Sequence, residues 1–456
     1  MLRPRQQKAI ADIRAAYAAG YRRVLLCAPT GAGKTFTAAA IIQSAIDRGR
    51  DVWFLAHLRE ILDDTSKRLR LAGIPHGLIM AGCKEQPWKP VQVVSVQTAV
   101  RRQLEHKPGL IIIDECHLAV AETYKKVVEA AGNPPLLGLS GSPIRLDGRG
   151  LAEMFDVLVP TCSTGDLIAE GLLAPIRYYA PTRPDLTGVH TRAGDYAQDE
   201  LAAAVDKPSI IGDAVAHYRK HADRRPAVAF CVNVAHAEHT ANAFTSAGYR
   251  AVAISGGSTK EERDQALNGL RSGDIDVVCN AQLWVAGVDC PNIGCIILLR
   301  PTKSLTYYLQ AVGRGLRICD DWPDLVVLDH AGCVFTHGMP QEEREWTLDA
   351  KPKRKGSADA PAVRECPQCF ACHAPAPVCP CCGHVYVRET VPQGPQQLAG
   401  ELVEVDEAAI RRERNREQAA AQTLEQLIEI GRKRGMKSPH GWAKHVLAAR
   451  QRKRAA

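Results

Sequence analysis

The stretch Val24-Leu25-Leu26-Cys27-Ala28-Pro29-Thr30-Gly31-Ala32-Gly33-Lys34-Thr35 decides the fold of this chain. Its four leading apolar residues predict a buried strand, a glycine-rich loop follows, and the apolar residues after Thr35 predict a helix. The glycines let backbone N–H groups approach the oxygens of a phosphate, and the helix N-terminus adds a favourable dipole. This strand–loop–helix predicts a nucleoside triphosphate site, with Lys34 at the β- and γ-phosphates and Thr35 on Mg²⁺.

Short apolar runs alternate with helical stretches along most of the chain. They predict buried strands at 24–27, 52–55, 91–94, 110–113 and 136–139, and again at 227–232, 251–254, 275–279, 295–299 and 325–328. Continuous apolar runs are typical of parallel strands covered on both faces, with helices as the crossover connections. The sequence therefore predicts an α/β fold with two tandem parallel-sheet lobes, of which the first carries the Gly-Lys-Thr.

These patterns divide the 456 residues into segments. We predict a first lobe at 1–160, a connector at 161–207, a second lobe at 208–339, a linker at 340–365, a cysteine-rich ribbon at 366–387 and a helical basic tail at 396–456. The connector is expected to pack on the surface because it is irregular and contains several prolines. The linker loses strand character and carries a basic run.

The net charge of +8 is unevenly placed, since nine Lys or Arg and no acidic residue lie from Gly431 to Ala456. This basic tail predicts a polyanionic partner, with nucleic acid as the first candidate and a solvated charge run as the alternative. Trp442 is expected either to stack on a base or to cap a small helical core. The sequence contains no apolar run of membrane-spanning length and no signal-peptide core, so we expect no membrane partner and a cytoplasmic protein.

Six of the 16 cysteines fall between Cys366 and Cys382. This clustering indicates a metal site in a reducing compartment rather than a disulfide framework. Two CxxC pairs suit tetrahedral Zn²⁺, and the predicted ligands are Cys366, Cys369, Cys379 and Cys382. The spare residues that leave the ligand choice open are Cys372, Cys381, His373 and His384. A redox-active CxxC pair is the other interpretation.

A second apolar run, 110–113, ends in Asp114-Glu115-Cys116-His117. Parallel sheets bind ligands at the carboxyl ends of their strands, so these side chains are expected near the glycine-rich loop. We predict that Asp114 holds Mg²⁺ and that Glu115 orients the attacking water, while His117 connects the nucleotide state to the second lobe. A helix N-cap formed by Asp114 is the alternative.

Two arginines lie in the stretch Gln310-Ala311-Val312-Gly313-Arg314-Gly315-Leu316-Arg317. Gln310, Arg314 and Arg317 are spaced i, i+4 and i+7, which predicts that they share one helix face. A guanidinium on the γ-phosphate stabilises the charge that develops during transfer, so hydrolysis would depend on closure of the lobes. A basic helix face for solvent or nucleic acid is the alternative.

Taken with these motifs, residues 1–335 resemble a superfamily 2 helicase of the DEAD/DEAH-box type, in its DECH variant. The resemblance implies two RecA-like lobes that close on one Mg·ATP. It assigns nucleotide contacts to Thr30, Gly31, Ala32, Gly33, Lys34 and Thr35. Leu2-Arg3-Pro4-Arg5-Gln6 matches the adenine-reading element, with Arg3 and Gln6 as contacts. The stretch 280–289 matches the motif in which Gly287 and Asp289 face nucleotide, although Trp284 stands where threonine is common.

Further stretches extend this resemblance. Residues 54–60 and 94–98 resemble strand-gripping motifs, and 138–143 occupies the place of the Ser/Thr-Ala-Thr-Pro motif, with Gly141 and Ser142 in place of alanine and threonine. The second-lobe motifs at 287–291, 299–304 and 313–317, followed by the cysteines, look most like RadD-type DNA-repair helicases and phage relatives. This likeness implies DNA rather than RNA, a contact with single-strand-binding protein, and the cytosol of a bacterial or phage-infected cell.

The sequence thus predicts an ATP-dependent helicase or translocase on nucleic acid, with ATP, Mg²⁺ and Zn²⁺ as its cofactors. One alternative is an ATPase switch that clamps or remodels duplex without strand separation. Another is a nucleic-acid-binding module with an idle ATPase. The intact set of Lys34, Asp114, Glu115 and Arg314 argues against the idle ATPase.

Overall fold

The apolar run before the glycine-rich loop forms a strand, Arg23–Cys27, in the computed structural model of the chain. The structure describes residues 2–102, 106–118, 121–145, 147–180, 184–192, 194–281, 292–349, 353–354, 363–386, 416–434 and 438–455. The chain divides into two units, Met1–Val387 and Arg388–Ala456. In the strand, Val24 and Leu26 pack into one core and Leu25 into another, which explains why the run is apolar without alternation.

The first lobe is a parallel sheet with connecting helices. Its strands are β1 (Arg23–Cys27), β2 (Val52–Ala56), β3 (His76–Ile79), β4 (Val91–Ser95), β5 (Leu110–Ile113), β6 (Leu136–Ser140) and β7 (Val157–Pro160). Its helices are α1 (Pro4–Ala18), α2 (Lys34–Ile46), α3 (Arg59–Leu71), α4 (Val96–Arg101) and α5 (Ala121–Ala130). The sheet order β3-β4-β2-β5-β6-β1-β7 places β5 two positions from β1, so the carboxylates and the glycine-rich loop share one edge of the sheet.

The second lobe repeats this architecture. Its strands and a short hairpin are β8 (Ile176–Tyr179), β9 (Thr191–Arg192), β10 (Asp195–Tyr196), β11 (Ala227–Cys231), β12 (Ala251–Ile254), β13 (Val277–Ala281), β14 (Cys295–Leu298) and β15 (Leu325–Asp329). Its helices are α6 (Thr164–Ala169), α7 (Gln198–Val205), α8 (Pro208–Ala222), α9 (Val234–Ser246), α10 (Lys260–Ser272), α11 (Leu305–Gly313) and α12 (Cys333–His337). The predicted α/β fold with two parallel-sheet lobes is confirmed.

The stretch 161–207 is more than the surface connector that its irregular sequence predicts. β8 pairs in parallel with β15, and both Tyr178 and Tyr179 are buried. The Tyr178 hydroxyl donates to the buried carboxylate of Asp329 at 2.8 Å. Part of this stretch therefore belongs to the second sheet. The packing of its tyrosines next to β15 stabilises the strand although the flanking sequence is irregular.

The stretch 340–365 also differs from the free linker that the sequence predicts. Leu151 and Ala152 in the first lobe donate their backbone N–H groups to the carbonyl of Leu348, at 2.7 and 3.1 Å. The Arg344 guanidinium donates to four carbonyls between His337 and Glu342, which fixes the turn that leads there. The chain after α12 thus returns from the second lobe to the first.

The cysteine-rich ribbon extends the second sheet. After the short β16 (Arg344–Glu345) and β17 (Lys353–Arg354) come β18 (Arg364–Glu365) and β19 (Ala371–His373). β19 pairs antiparallel with β8, which gives the order β12-β13-β11-β14-β15-β8-β19-β18. The ribbon therefore covers an edge of β8 that would otherwise expose unpaired backbone groups.

The second unit contains the helices α13 (Leu424–Lys433) and α14 (Pro439–Ala455). Leu427, Ile430 and Ala443 form its small core, and Trp442 packs against that core and over Gly431. Of the two expectations for Trp442, the capping of a helical core is the one that the structure confirms. Within the described ranges, none of the helices combines the length and apolarity that crossing a membrane requires.

Candidate active site

The glycine-rich loop joins β1 to α2 in a backbone conformation that depends on its glycines. Gly31 and Gly33 have φ angles of 86° and 87°, in the left-handed region that other residues rarely adopt. Gly33 is the N-cap of α2, so the helix begins with N–H groups that have no partner within the helix. Lys34 Nζ donates to the carbonyl of Ala28 at 3.0 Å, which holds the ammonium over the loop. This arrangement suits the binding of a polyphosphate.

Two carboxylates follow β5 at the same edge of the sheet. The backbone N–H of Glu115 donates to Asp114 Oδ1 at 2.9 Å. Glu115 itself has a φ of 43°, an uncommon conformation for a residue other than glycine. Such local strain is concentrated at functional sites, where the surrounding structure holds it in place.

The two carboxyl groups differ in their proton affinity. Burial, reinforced by Glu115, raises the pKa of Asp114 to about 7, although Lys34 opposes the rise. Burial also acts to raise the pKa of Glu115, but its cationic neighbours, Lys34 first and Arg314 as well, outweigh it and lower that pKa. Glu115 is therefore the carboxylate that the neighbouring cations keep ionised, and Asp114 is a half-buried carboxyl group whose charged form a further cation would stabilise.

His117 connects these carboxylates to the second lobe. Burial lowers its pKa to about 4, so the imidazole is neutral. Its Nε2 accepts a hydrogen bond from the amide of Gln310 on α11 at 3.0 Å, and its Nδ1 lies 2.8 Å from Ser140 Oγ. Because an amide NH₂ can only donate, we assign the ring proton to Nδ1. The same Gln310 amide lies 3.4 Å from Glu115 Oε2.

A second polar contact between the lobes lies beside the first. Ser142 Oγ donates to Thr306 Oγ1 at 3.0 Å, and Thr306 in turn donates to the carbonyl of Ile144 at 2.9 Å. These groups are buried. The sequence analysis did not single out Thr306, although it precedes Gln310 by four residues on α11 and therefore shares its helix face.

The two arginines after α11 occupy different places. α11 ends at Gly313, and its C-cap Arg314 keeps helical backbone angles, so Gln310 and Arg314 follow one helix face whereas Arg317 lies beyond the helix. Just beyond the helix, Gly315 is pressed against Leu325 and Ile296 of the sheet, where a side chain would not fit.

Burial lowers the pKa of Arg314, and the charge of Glu115 opposes that shift, so Arg314 lies within electrostatic reach of Glu115. Burial likewise lowers the pKa of Arg317, but its charged neighbours are Arg68 and Asp64 on α3. The structure thus brings Arg314, and not Arg317, to Glu115.

The end of α11 faces the glycine-rich loop directly. A Cβ atom at Gly313 would lie 3.0 Å from Thr30 Oγ1. On the outer side of the loop, Gln6 lies against Gly33, and its Oε1 accepts the backbone N–H of Arg3 at 2.9 Å. Gln6, one of the two residues predicted to read adenine, is therefore next to the loop, and the backbone of the other, Arg3, is bonded to it. Gly287 and Asp289, which are predicted to face nucleotide, lie outside the described residues.

The two predicted strand-gripping stretches of the first lobe contact each other, and one of them also contacts the second lobe. Gln97 donates to the carbonyl of His57 at 3.0 Å, which joins the two stretches of the first lobe. Arg263 on α10 pairs with Glu60 on α3 at 3.0 Å.

The four predicted cysteine ligands converge in the ribbon. The sulfur atoms of Cys366, Cys369, Cys379 and Cys382 all lie within 4.8 Å of one another. The Cys366–Cys382 and Cys369–Cys379 sulfur distances are 3.6 and 3.7 Å. Tetrahedral Zn–S bonds of about 2.3 Å require sulfur separations of about 3.8 Å, so the cluster fits a zinc ion.

This chain has two parallel-sheet lobes that meet at a phosphate-binding loop, which is the architecture of the RecA-like ATPases. Comparison with protein families gives a match for each lobe. Residues 1–145 match the model for the res subunit of type III restriction enzymes, and residues 206–319 match the helicase conserved C-terminal domain.

Similar proteins point to the same family. A 51.5 kDa protein of a Lactococcus phage is 30% identical over 364 residues, which cover 79% of this chain and 77% of the phage protein. The Saccharomyces cerevisiae protein named as ATP-dependent helicase IRC3 is 26% identical over 73% of this chain, but the match covers only 52% of that protein. The chain belongs to the superfamily 2 helicases and is an ATP hydrolase of that family.

Solved structures share the fold. A fragment of an HsdR subunit of a type I restriction enzyme from Vibrio vulnificus superposes with a TM-score of 0.59 at 21% identity, covering 76% of this chain and 66% of that one. The ATP-dependent type ISP restriction-modification enzyme LlaBIII, bound to DNA, gives a TM-score of 0.55 at 15% identity, covering 72% of this chain and 27% of that one.

The hydrogen bond between Ser142 and Thr306 predicts an energetic coupling between the lobes. Ser142→Ala and Thr306→Val each remove this hydrogen bond and keep one of its two buried hydroxyls, whereas the double variant removes both hydroxyls. We expect the double variant to be less destabilised than the sum of the single variants by about 1 kcal/mol, measured by urea unfolding. Additive losses would mean that the two hydroxyls do not interact in solution.

Proposed function

We propose that this chain is an ATP-dependent DNA translocase or helicase that acts in DNA repair or recombination. The observation that carries the proposal is the position of α11, whose end brings Gln310 and Arg314 from the second lobe to Glu115 in the first. A site completed by both lobes makes ATP hydrolysis depend on their closure, and hydrolysis then reopens them. Repeated closing and opening on a phosphate backbone would move the protein along it.

Within this proposal each side chain has a defined role. Lys34 holds the β- and γ-phosphates of ATP, and Glu115, kept ionised by its cationic neighbours, orients the attacking water. Gln310 positions Glu115 through its amide, and Arg314 stabilises the charge that develops on the γ-phosphate. A catalytic role for Arg317 stays a prediction, because its charged neighbours are those of α3.

Thr35 and Asp114 fit a divalent cation. Asp114 is a half-buried carboxylate whose pKa is raised by burial, so a cation at this edge would stabilise its charged form. When bound there, Mg²⁺ would neutralise the charge of the phosphates. Hydroxyl and carboxylate oxygens are the ligands that Mg²⁺ prefers.

The comparisons with known proteins, and not the geometry of the site, support DNA as the proposed nucleic acid. The similar structures are restriction enzymes, and one of them, LlaBIII, is bound to DNA. The likeness of the second-lobe motifs and the ribbon to RadD-type helicases adds repair or recombination as the setting. The contact with single-strand-binding protein stays a prediction of that likeness alone.

We also propose that the ribbon holds a structural Zn²⁺ through Cys366, Cys369, Cys379 and Cys382. The observed sulfur separations support this ligand set over the spare cysteines and histidines. Because β19 is hydrogen-bonded to β8, the metal would stabilise the edge of the second sheet as well as the ribbon.

The function is tested by ATP turnover against single-stranded, duplex and forked DNA and the matching RNAs. We expect DNA to stimulate turnover, and Lys34→Ala to reduce it to background with every ligand because the phosphate contact is lost. Unwinding by strand-separation fluorescence and translocation by displacement of a bound roadblock are measured on the stimulating DNA. Stimulation by RNA alone, or turnover that ignores nucleic acid, would contradict the proposal.

Arg314→Ala separates binding from chemistry. We expect kcat to fall about 1000-fold while the Kd for ATP changes by less than about threefold, since the guanidinium acts on charge that develops in the transition state. Arg219→Ala is the control, because Arg219 donates to the Tyr249 hydroxyl and to the carbonyl of Ala247, both in the second lobe. If Arg314→Ala instead binds ATP more weakly but retains the rate of the chemical step, Arg314 contacts ATP in the ground state and not selectively in the transition state.

The zinc ligands predict a selective loss of metal. Cys369→Ser should purify with much less than one zinc per chain, whereas Cys381→Ser should retain it, because Cys381 is exposed and bonds to Tyr179 instead. Zinc is measured by its release to a chromophoric chelator after treatment with a thiol reagent. Retention of full zinc by Cys369→Ser, or its loss from Cys381→Ser, would refute this ligand set.

A further inference from the structure

The turn that follows α6 packs against the glycine-rich loop. A Cβ atom built on Gly31 would lie 2.6 Å from Leu173 Cδ2 and 3.3 Å from its Cγ. Because carbon atoms in contact lie about 3.5–4.0 Å apart, the leucine side chain already fills the space beside the Gly31 α-carbon. Leu173 is 2% exposed, so this contact is closed to water.

Gly31 is a residue whose conformation needs such a contact. Its φ of 86° lies in the left-handed region, and a glycine has many other conformations available to it. The three nearest atoms that the structure describes around its Cβ position all belong to Leu173. Gly33, the other left-handed glycine of the loop, has Gln6 against it instead. Leu173 therefore limits the conformations that Gly31 can adopt.

The turn that carries Leu173 is itself fixed. The backbone N–H groups of Leu172 and Leu173 both donate to the carbonyl of Leu167 on α6, at 2.8 and 3.2 Å. Glu170 forms an ion pair with Arg5 on α1. The backbone under Leu173 is thus held by α6 and by the first lobe, so its side chain has a defined position against the loop.

The same turn is bonded to the chain that follows α11. The backbone N–H of Ala174 donates to the carbonyl of Leu316 at 2.9 Å. Leu316 is buried and comes two residues after Arg314. One short turn therefore contacts both the glycine-rich loop and the second-lobe segment that carries the arginine.

We propose that Leu173 is a positioning residue for phosphate binding, because it holds Gly31 in the conformation in which the backbone N–H groups of the loop receive phosphate oxygens. The inference rests on the proposed placement of the phosphates of ATP on this loop. An apolar side chain does not itself bind phosphate, so Leu173 acts only through the loop. If the loop without Leu173 is competent about a tenth of the time, the apparent Kd rises about tenfold.

The test measures equilibrium binding of Mg·ATP and of Mg·tripolyphosphate, which has neither base nor sugar, to full-length variants. Leu173→Ala should weaken both ligands by the same factor, about tenfold, because the loop binds what they share. The KM for ATP should rise by a similar factor while kcat changes less than about twofold, since the loop holds the phosphates in the ground state and in the transition state alike. Leu173→Met should retain both ligands, because methionine has nearly the same volume.

Leu172→Ala is the matched control. Leu172 is the neighbouring leucine of the same turn and is partly buried, but it is not among the atoms nearest to Gly31. Its truncation should change the affinity for neither ligand. If Leu173→Ala does not fold, as judged by circular dichroism, Leu173→Val takes its place and should show a smaller loss that is again equal for both ligands.

Three results overturn the positioning role. These are unchanged binding of both ligands by the truncated Leu173 variant, weakening of ATP alone, and an equal loss in Leu172→Ala. The ATP site is checked separately, because Lys34→Ala should weaken both ligands whether or not Leu173 positions the loop. If binding survives Lys34→Ala, the phosphates do not lie on this loop, and the inference on Leu173 fails with the proposed site.

Discussion

The hydrogen bond from Gln310 to His117 is the contact on which the site depends. Burial keeps His117 neutral, and a buried imidazole needs a partner at each nitrogen. Ser140 supplies one partner from the first lobe, but only the second lobe supplies the other. Separation of the lobes would leave Nε2 without its partner at a cost of about 1–3 kcal/mol unless water enters. Closure of the two lobes is therefore linked to the exclusion of water from the neighbourhood of Glu115.

Other contacts also join the two lobes, in addition to this hydrogen bond. Thr306 bonds to Ser142 beside the carboxylates, while Arg263 pairs with Glu60 at a more exposed place. The backbone of Leu348 reaches the first lobe from the chain that follows α12. The exposed ion pair contributes little, so the buried hydroxyl and amide bonds are the ones that specify how the lobes meet. The second-lobe partners in these bonds, Gln310 and Thr306, both lie on α11, the helix whose C-cap is Arg314.

The sequence allowed the predicted strands of both sheets and the main site residues to be placed, because continuous apolar runs and glycine spacing are local signals. It did not reveal β8, whose Arg177 looks like a surface residue but is paired with Asp324. The sequence also did not show that Arg317 lies beyond the end of α11. The close fit of Gly315 against β14 and β15 in this region is a long-range contact. The pairing of β19 with β8 is a long-range choice that no local pattern encodes.

The most direct test of the account is a structure of the full chain with Mg²⁺ and a non-hydrolysable ATP analogue. The account predicts that the triphosphate is contacted by Lys34 from one side and by the Arg314 guanidinium from the other, at a hydrogen-bond distance of about 3 Å. A triphosphate that is fully enclosed by first-lobe residues, with Arg314 directed elsewhere while the lobes are closed, would contradict it.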